Sequence, residues 1–165
     1  MNSLNLFRIN QFSPYKVELV DDEYLFETDH NIQYAVSFDL ETISDSIIAY
    51  WFNLANRSGI SSPNDKKIRT TIVLILEEFF RVNPDILLYM CDNADDQQAV
   101  RSRLFLRWFN AYGRQKDYYS RTEMIMDEQE ENYIAIIVKR THPQLQVIID
   151  TFDQQIAMFR ANKPT

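Results

Sequence analysis

From Ile32 to Leu40 the side chains alternate, with Ile32, Tyr34, Val36, Phe38 and Leu40 set against Gln33, Ala35, Ser37 and Asp39. A period of two predicts a β-strand with one covered and one wetter face; a helix would repeat its apolar face every ~3.6 residues instead. Just before it, Tyr15-Lys16-Val17-Glu18-Leu19 and Tyr24-Leu25-Phe26-Glu27-Thr28 flank Asp21-Asp22, which predicts a hairpin with a polar turn. Just after it, Ile47 to Leu54 carries Trp51 and Asn53 on one face and Tyr50 and Phe52 on the other. That run predicts a fourth strand, covered on both sides. Four strands in succession restrict the folded part to a structure that opens with a meander. Residues 1–14 show no firm period and are expected to form an N-terminal arm. Residues 15–165 are expected to form a single domain, because no linker-like stretch divides them.

The second half changes period. Ser58 to Asp65 has strong turn chemistry and ends in candidate helix caps. From Lys66 to Val82, Ile68, Ile72, Ile75, Leu76 and Phe79 form one stripe, with Thr70, Glu77, Glu78 and Arg81 expected largely opposite. Asn83-Pro84 stops this helix, because the residue before proline avoids helical geometry. An apolar strand, Ile86 to Cys91, comes next, and a further helix is predicted from Asp95 or Asp96 to Gly113. Tyr118 to Met126 and Tyr133 to Lys139 surround the acidic run Asp127-Glu128-Gln129-Glu130-Glu131, which predicts a second hairpin with a solvated turn. Beyond Thr141-His142-Pro143 a last helix is expected, with Leu145, Ile148, Ile149, Phe152, Ile156 and Phe159 as its apolar face. The order ββββαβαββα predicts an α+β fold: a mainly antiparallel sheet, the four-strand meander plus about three further strands, covered by about three helices.

Candidate site residues concentrate where the Ile86–Cys91 strand meets the following helix. Arg101 falls in the centre of an arc formed by Leu104, Phe105, Trp108, Phe109 and Tyr112. A guanidinium there needs a carboxylate or a bound anion, because an unpaired buried charge is costly. Asp92 and Asp95 with Arg101, Arg103, Arg107 and Trp108 are therefore the candidate ligand-binding set. A plain structural use of the same residues is a helix cap at Asp95 or Asp96 and an Asp92–Arg101 pair that fixes the helix on the sheet.

The remaining chemistry narrows the function by exclusion. Gly59 and Gly113 are the only glycines, which excludes the common glycine-rich phosphate loops. His30 and His142 lie at a turn and a helix start without ligand spacing, so no metal and no cofactor is expected. Cys91 is the one cysteine; it closes an apolar strand, where a small buried hydrophobe is the usual role, and a disulfide framework is excluded. No apolar run is long enough to cross a bilayer, and a reducing cytoplasmic setting is expected. A formal charge of −7 opposes a broad nucleic-acid surface and suits a basic protein partner. Aromatics make up 13% of the chain; core packing accounts for most, and Tyr50, Trp51 and Trp108 are candidates for an interface.

The segment Tyr89-Met90-Cys91-Asp92, then Asp95 or Asp96, Arg101, Arg103, Phe105 and Trp108-Phe109, resembles that of a family of small bacterial proteins labelled as a domain of unknown function. The resemblance extends to the N-terminal meander, the Glu77-Glu78-Phe79-Phe80 helix and the closing strand pair with its helix. It implies an uncharacterised bacterial protein and carries over no catalytic residue. The functional expectation is a non-enzymatic cytoplasmic protein-binding domain, of the kind an antitoxin or immunity protein represents. The alternative is a small-molecule or anion-binding or hydrolytic domain that uses the Asp92 to Arg107 segment.

Overall fold

The computed structural model describes residues 1–91, 107 and 116–161. Its elements are α1 (Leu6–Phe12), β1 (Glu18–Val20), β2 (Glu23–Glu27), β3 (Gln33–Ser44), β4 (Ile47–Asn56), α2 (Lys66–Val82), β5 (Ile86–Cys91), β6 (Tyr118–Asp127), β7 (Glu130–Lys139) and α3 (Leu145–Ala161). The fold is α+β, with seven strands in a mostly antiparallel sheet ordered β1-β2-β3-β4-β5-β7-β6. The helix predicted between Asp95 and Gly113 lies outside the described residues, apart from a helical Arg107. The chain divides into two compact units: Met1–Glu41 with Tyr50–Asp85, and Thr42–Ala49 with Ile86–Thr165.

In the first unit the expected hairpin is β1–β2, closed by Asp21 and Asp22 at φ of 49° and 64°. Two consecutive left-handed residues match the twist of flanking strands, and aspartate tolerates that conformation better than most side chains. β2 pairs with β3 so that Phe26 opposes Tyr34 and Tyr24 opposes Val36, and all four are buried. Asp65 caps α2 by accepting from the Lys67 amide at 2.8 Å. Five residues of the predicted stripe, Ile68, Ile72, Ile75, Leu76 and Phe79, are buried as expected. Phe79 anchors the packing, its ring 4.9 Å from that of Phe38 and 5.8 Å from that of Tyr50.

Three local expectations change. Glu78, expected on the wet side of α2, is only 5% exposed. Leu40, expected on the covered face of β3, is exposed. The apolar run of β4 is covered on its two faces in succession: Ile47 and Ala49 are buried from one face, then Tyr50 and Phe52 from the other, while Ile48 is exposed. Residues 1–14, which show no period, hold the one short helix that the sequence did not announce. Asn5 caps α1 through the Arg8 amide, and Leu4 and Ile9 are buried.

In the second unit, β5 ends at Cys91 as expected, and β7 pairs with both β5 and β6. Successive strand residues point to opposite faces, and Ile134 to Val138 are all buried, so β7 is covered on both faces. Glu128 and Gln129, at φ of 46° and 75°, close the second hairpin, with Glu128, Gln129 and Glu131 exposed. The turn within the acidic run, Glu128-Gln129, is therefore solvated. Ile148, Phe152 and Ile156 form the buried line of α3, whereas Phe159 is exposed. Among the described residues no helix is long and apolar enough to cross a membrane.

Candidate functional site

Of the residues singled out from sequence, Asp92, Asp95, Arg101, Arg103 and Trp108 lie outside the described residues, and Arg107 is exposed. The described residues instead hold three polar clusters and one apolar surface that sequence reading did not assemble.

The first cluster surrounds Tyr15. Its ring is buried and stacks on Phe26, and its hydroxyl donates to Asp65 and lies 3.3 Å from Asp29 Oδ2. Lys67 donates to the same Asp29 oxygen at 2.7 Å and stands 5.6 Å from the centre of the Tyr15 ring. Burial, reinforced by the bond to Asp65, pushes the Tyr15 phenol up to about 12. The Lys67 ammonium holds Asp29 below the usual carboxylate range, and Asp29 in turn raises Lys67. A phenol that keeps its one proton, gives it to Asp65 and accepts from the Asp29 amide at 3.3 Å cannot act as a base at neutral pH. What it does is tie the β2–β3 turn to the start of α2.

Glu78 centres the second cluster. Its carboxylate accepts two bonds from Arg81, at 2.9 and 2.7 Å, and one from the Asn5 amide at 3.2 Å, with Arg8 at 3.5 Å. The Arg81 bonds outweigh burial and keep Glu78 below the ordinary glutamate range. Because Asn5 and Arg8 belong to the cap and first turn of α1, an ionised Glu78 fastens α1 to α2.

The third cluster lies in the second unit, where Arg121 on β6 bonds Glu123 at 2.8 Å and Asp153 on α3, and stands over the Phe152 ring. Arg160 bonds Glu123 at 2.9 Å. Two cations and two carboxylates balance, so this group clamps α3 on β6 and leaves no net charge to recruit a ligand.

The fourth feature is the outer side of α1 and β1. The Asn10 amide donates to the Val17 carbonyl at 2.9 Å and accepts from the Val17 amide at 2.8 Å, which sets α1 against the edge of the sheet. α1 buries Ile9 and turns Phe7 and Phe12 to solvent, 74% and 77% exposed. On β1, Leu19 and Val20 are also exposed, one on each face of the strand. The interface aromatics expected from sequence fare differently: Tyr50 is buried, Trp51 is half-buried with its indole N–H bonded to Glu41 at 2.9 Å, and Trp108 is outside the described residues.

Among the described residues no group of three or more His, Cys, Asp or Glu side chains is placed to hold a metal ion. His30 is exposed, and His142 accepts from the Gln144 amide at 3.1 Å through Nδ1.

A family model described as "Family of unknown function (DUF6169)" matches residues 64–154, more than half of the chain. The chain belongs to this family. The DUF6169 segment opens at the cap of α2 and ends inside α3, so it contains Asp65, Lys67, Glu78, Arg121, Glu123 and Asp153. Tyr15, Asp29, Phe7, Phe12 and Arg160 lie outside it. No curated protein and no solved structure matches the chain. The family description names no activity, so function rests on the residues themselves.

Proposed function

We propose that this DUF6169 chain is a non-enzymatic protein-binding domain of the bacterial cytoplasm that neutralises or accompanies a basic partner, as an antitoxin or immunity protein does. The observation that carries this reading is α1: an ordered helix, fastened by Glu78 and Asn10, that exposes two phenylalanines. Water-facing aromatic side chains on a rigid element are the usual anchors of a protein interface, where they add large contact area at low entropic cost. The formal charge of −7 supports a cationic partner through complementarity and steering. The lone cysteine is compatible with a reducing compartment.

The test is purification of the tagged protein from its native host at low and high salt, followed by size-exclusion chromatography with mass detection. A stoichiometric basic protein that stays at low salt and leaves at high salt is the expected result. Migration alone at low salt would overturn the reading, and a stoichiometric small molecule or metal in place of a protein would favour a ligand site at Asp92 to Arg107 instead.

A further inference from the structure

We infer that the face of the first unit's sheet turned away from α1 and α2 is a docking surface, and that its occupant is an arginine-bearing segment of a partner protein; this rests on the protein-binding reading and adds a second contact to it. Ring contacts fix which face is which. Phe38 on β3 and Tyr50 on β4 pack on Phe79 of α2, and Tyr24 on β2 and Phe52 on β4 pack on Phe38. The Leu4 amide, just before α1, donates to the Tyr24 hydroxyl at 3.4 Å, so the N-terminal residues lie on that inner side too. Side chains alternate along a strand, so Asp39 and Glu41 on β3 and Trp51, Asn53 and Ala55 on β4 face the other way. Two bonds between the strands show these residues side by side: the Trp51 indole N–H donates to Glu41 at 2.9 Å, and the Asn53 amide to Asp39 at 2.7 Å. Asp39, Glu41, Asn53 and Ala55 are exposed and Trp51 is half-buried; among the described residues of this unit no helix covers them.

The charges on this face select the partner. Glu23, next to the inward Tyr24, and Glu18, opposite Leu25, share the face, and each has its own cation: Arg57 for Glu23, and Lys16 at 3.2 Å for Glu18. Asp39 and Glu41 enter no ion pair among the described residues. Each is held by a neutral donor from β4, which orients the carboxylate and leaves its charge intact. Two residues apart on one strand, they stand about 7 Å from each other, so a single approaching chain meets both. Trp51 lies against them with part of its indole open to solvent. An oriented carboxylate beside an indole suits a guanidinium, which gives paired N–H bonds to the one and stacks on the other; an ammonium offers only a point charge.

The flatness of the face narrows the occupant further. Two adjacent strands give a small molecule little to be buried in, whereas a protein segment lies across them. Nucleic acid and anionic lipid would bring negative charge to negative charge, and so would a second copy of a chain whose formal charge is −7.

The test places a photo-crosslinking p-benzoylphenylalanine at position 55 in one strain of the native host and at position 159 in another. Phe159, exposed on α3 in the second unit, is the control. Mass spectrometry of the adduct identifies the crosslinked segment. The expected result is an adduct from position 55 on a protein segment that contains arginine, and none from 159. Its yield should fall several-fold in an Asp39→Asn, Glu41→Gln background. The melting curve of that variant should be unchanged, because the amide oxygens of asparagine and glutamine still accept from Asn53 and Trp51. Should the curve fall, replacing the arginines of the identified segment with lysine, against the unaltered chain, must lower the yield several-fold instead. A comparable adduct from 159, a segment without arginine, a second copy of this chain, or a yield indifferent to these substitutions would overturn this surface. So would no adduct from 55 while a partner protein co-purifies, and all of these outcomes leave the protein-binding reading standing. A chain that purifies alone and forms no adduct would overturn both.

Discussion

At the scale of single residues, Glu78 and Tyr15, both buried in the first unit, do opposite things with a proton. Glu78 is held ionised and below its ordinary range, chiefly by Arg81, so its contribution to stability is present at neutral pH. That contribution is lost as pH falls from about 4.3, the ordinary glutamate value, through the lower folded value. Glu78→Gln removes the charge while its partners, Arg81 and Arg8, remain half-exposed and can return to water. The expected cost is therefore about 1–3 kcal/mol at neutral pH, read by urea unfolding, rather than the larger penalty of stranding a buried charge. The variant should also lose less stability than the parent on acidification, and equal acid sensitivity would refute the role given to Glu78. Tyr15 works at the other end of the scale. Its phenol is raised to about 12, so the stability it supplies is complete below about 10 and declines between there and about 12 as the folded state resists ionisation. Tyr15→Phe keeps the ring on Phe26 and removes the hydroxyl, which should cost about 1–2 kcal/mol at pH 7. The same variant should flatten the alkaline decline, and a pH series of thermal melts checks both effects.

At the scale of elements, what was legible followed from periodicity, and what was missed followed from tertiary pairing. The alternation through Tyr34 and Val36, the stripe from Ile68 to Phe79 and the Ile86–Cys91 strand are each set by a covered face that the sequence displays directly. α1 escaped because a seven-residue helix burying Ile9 alone among its residues has no period to display; it stands because Asn5 caps it and Glu78 and Asn10 fasten it. Glu78 escaped for a related reason, since its place on the helix wheel gives no hint that α1 brings an amide and a guanidinium to meet it. Asn10→Ala tests the fastening: it leaves both outward groups of Val17 without their partner and should cost about 1–2 kcal/mol in denaturant unfolding. The turns offer a change of opposite sign. Glu128 and Gln129 occupy left-handed conformations that suit asparagine and glycine better, so replacing the pair with Asn-Gly should stabilise the β6–β7 hairpin by about 0.5–1 kcal/mol. A loss of stability would mean that the turn residues serve something other than the turn.

At the scale of the whole molecule, the candidate site was less legible than the fold. A sequence displays which residues share a face, but it does not display which exposed side chains a neighbouring element leaves uncovered, and that is what distinguishes Phe7 and Phe12 from the buried Phe26, Phe52 and Phe79. The expected set at Asp92, Asp95, Arg101 and Arg103 lies outside the described residues. The family boundary raises a physical question of its own. The DUF6169 match begins at residue 64 and ends at 154, yet Phe79, fully buried on α2, packs its ring on Phe38 and Tyr50, both outside that segment. Cutting at 154 also removes Ile156 from the buried line of α3 and Arg160 from its bond to Glu123. A fragment of residues 64–154 would thus expose the α2 stripe to water, where each large side chain forfeits about 1.5–3 kcal/mol of burial, against a total stability of only about 5–15 kcal/mol for an ordinary domain. The expected outcome is that this fragment fails to unfold cooperatively and aggregates or binds an apolar dye, while the full chain unfolds cooperatively under the same conditions. A fragment that melted cooperatively would show that the matched segment carries its own core and that the strands before it are an addition; their loss from the fragment would then be silent in stability and visible only in binding.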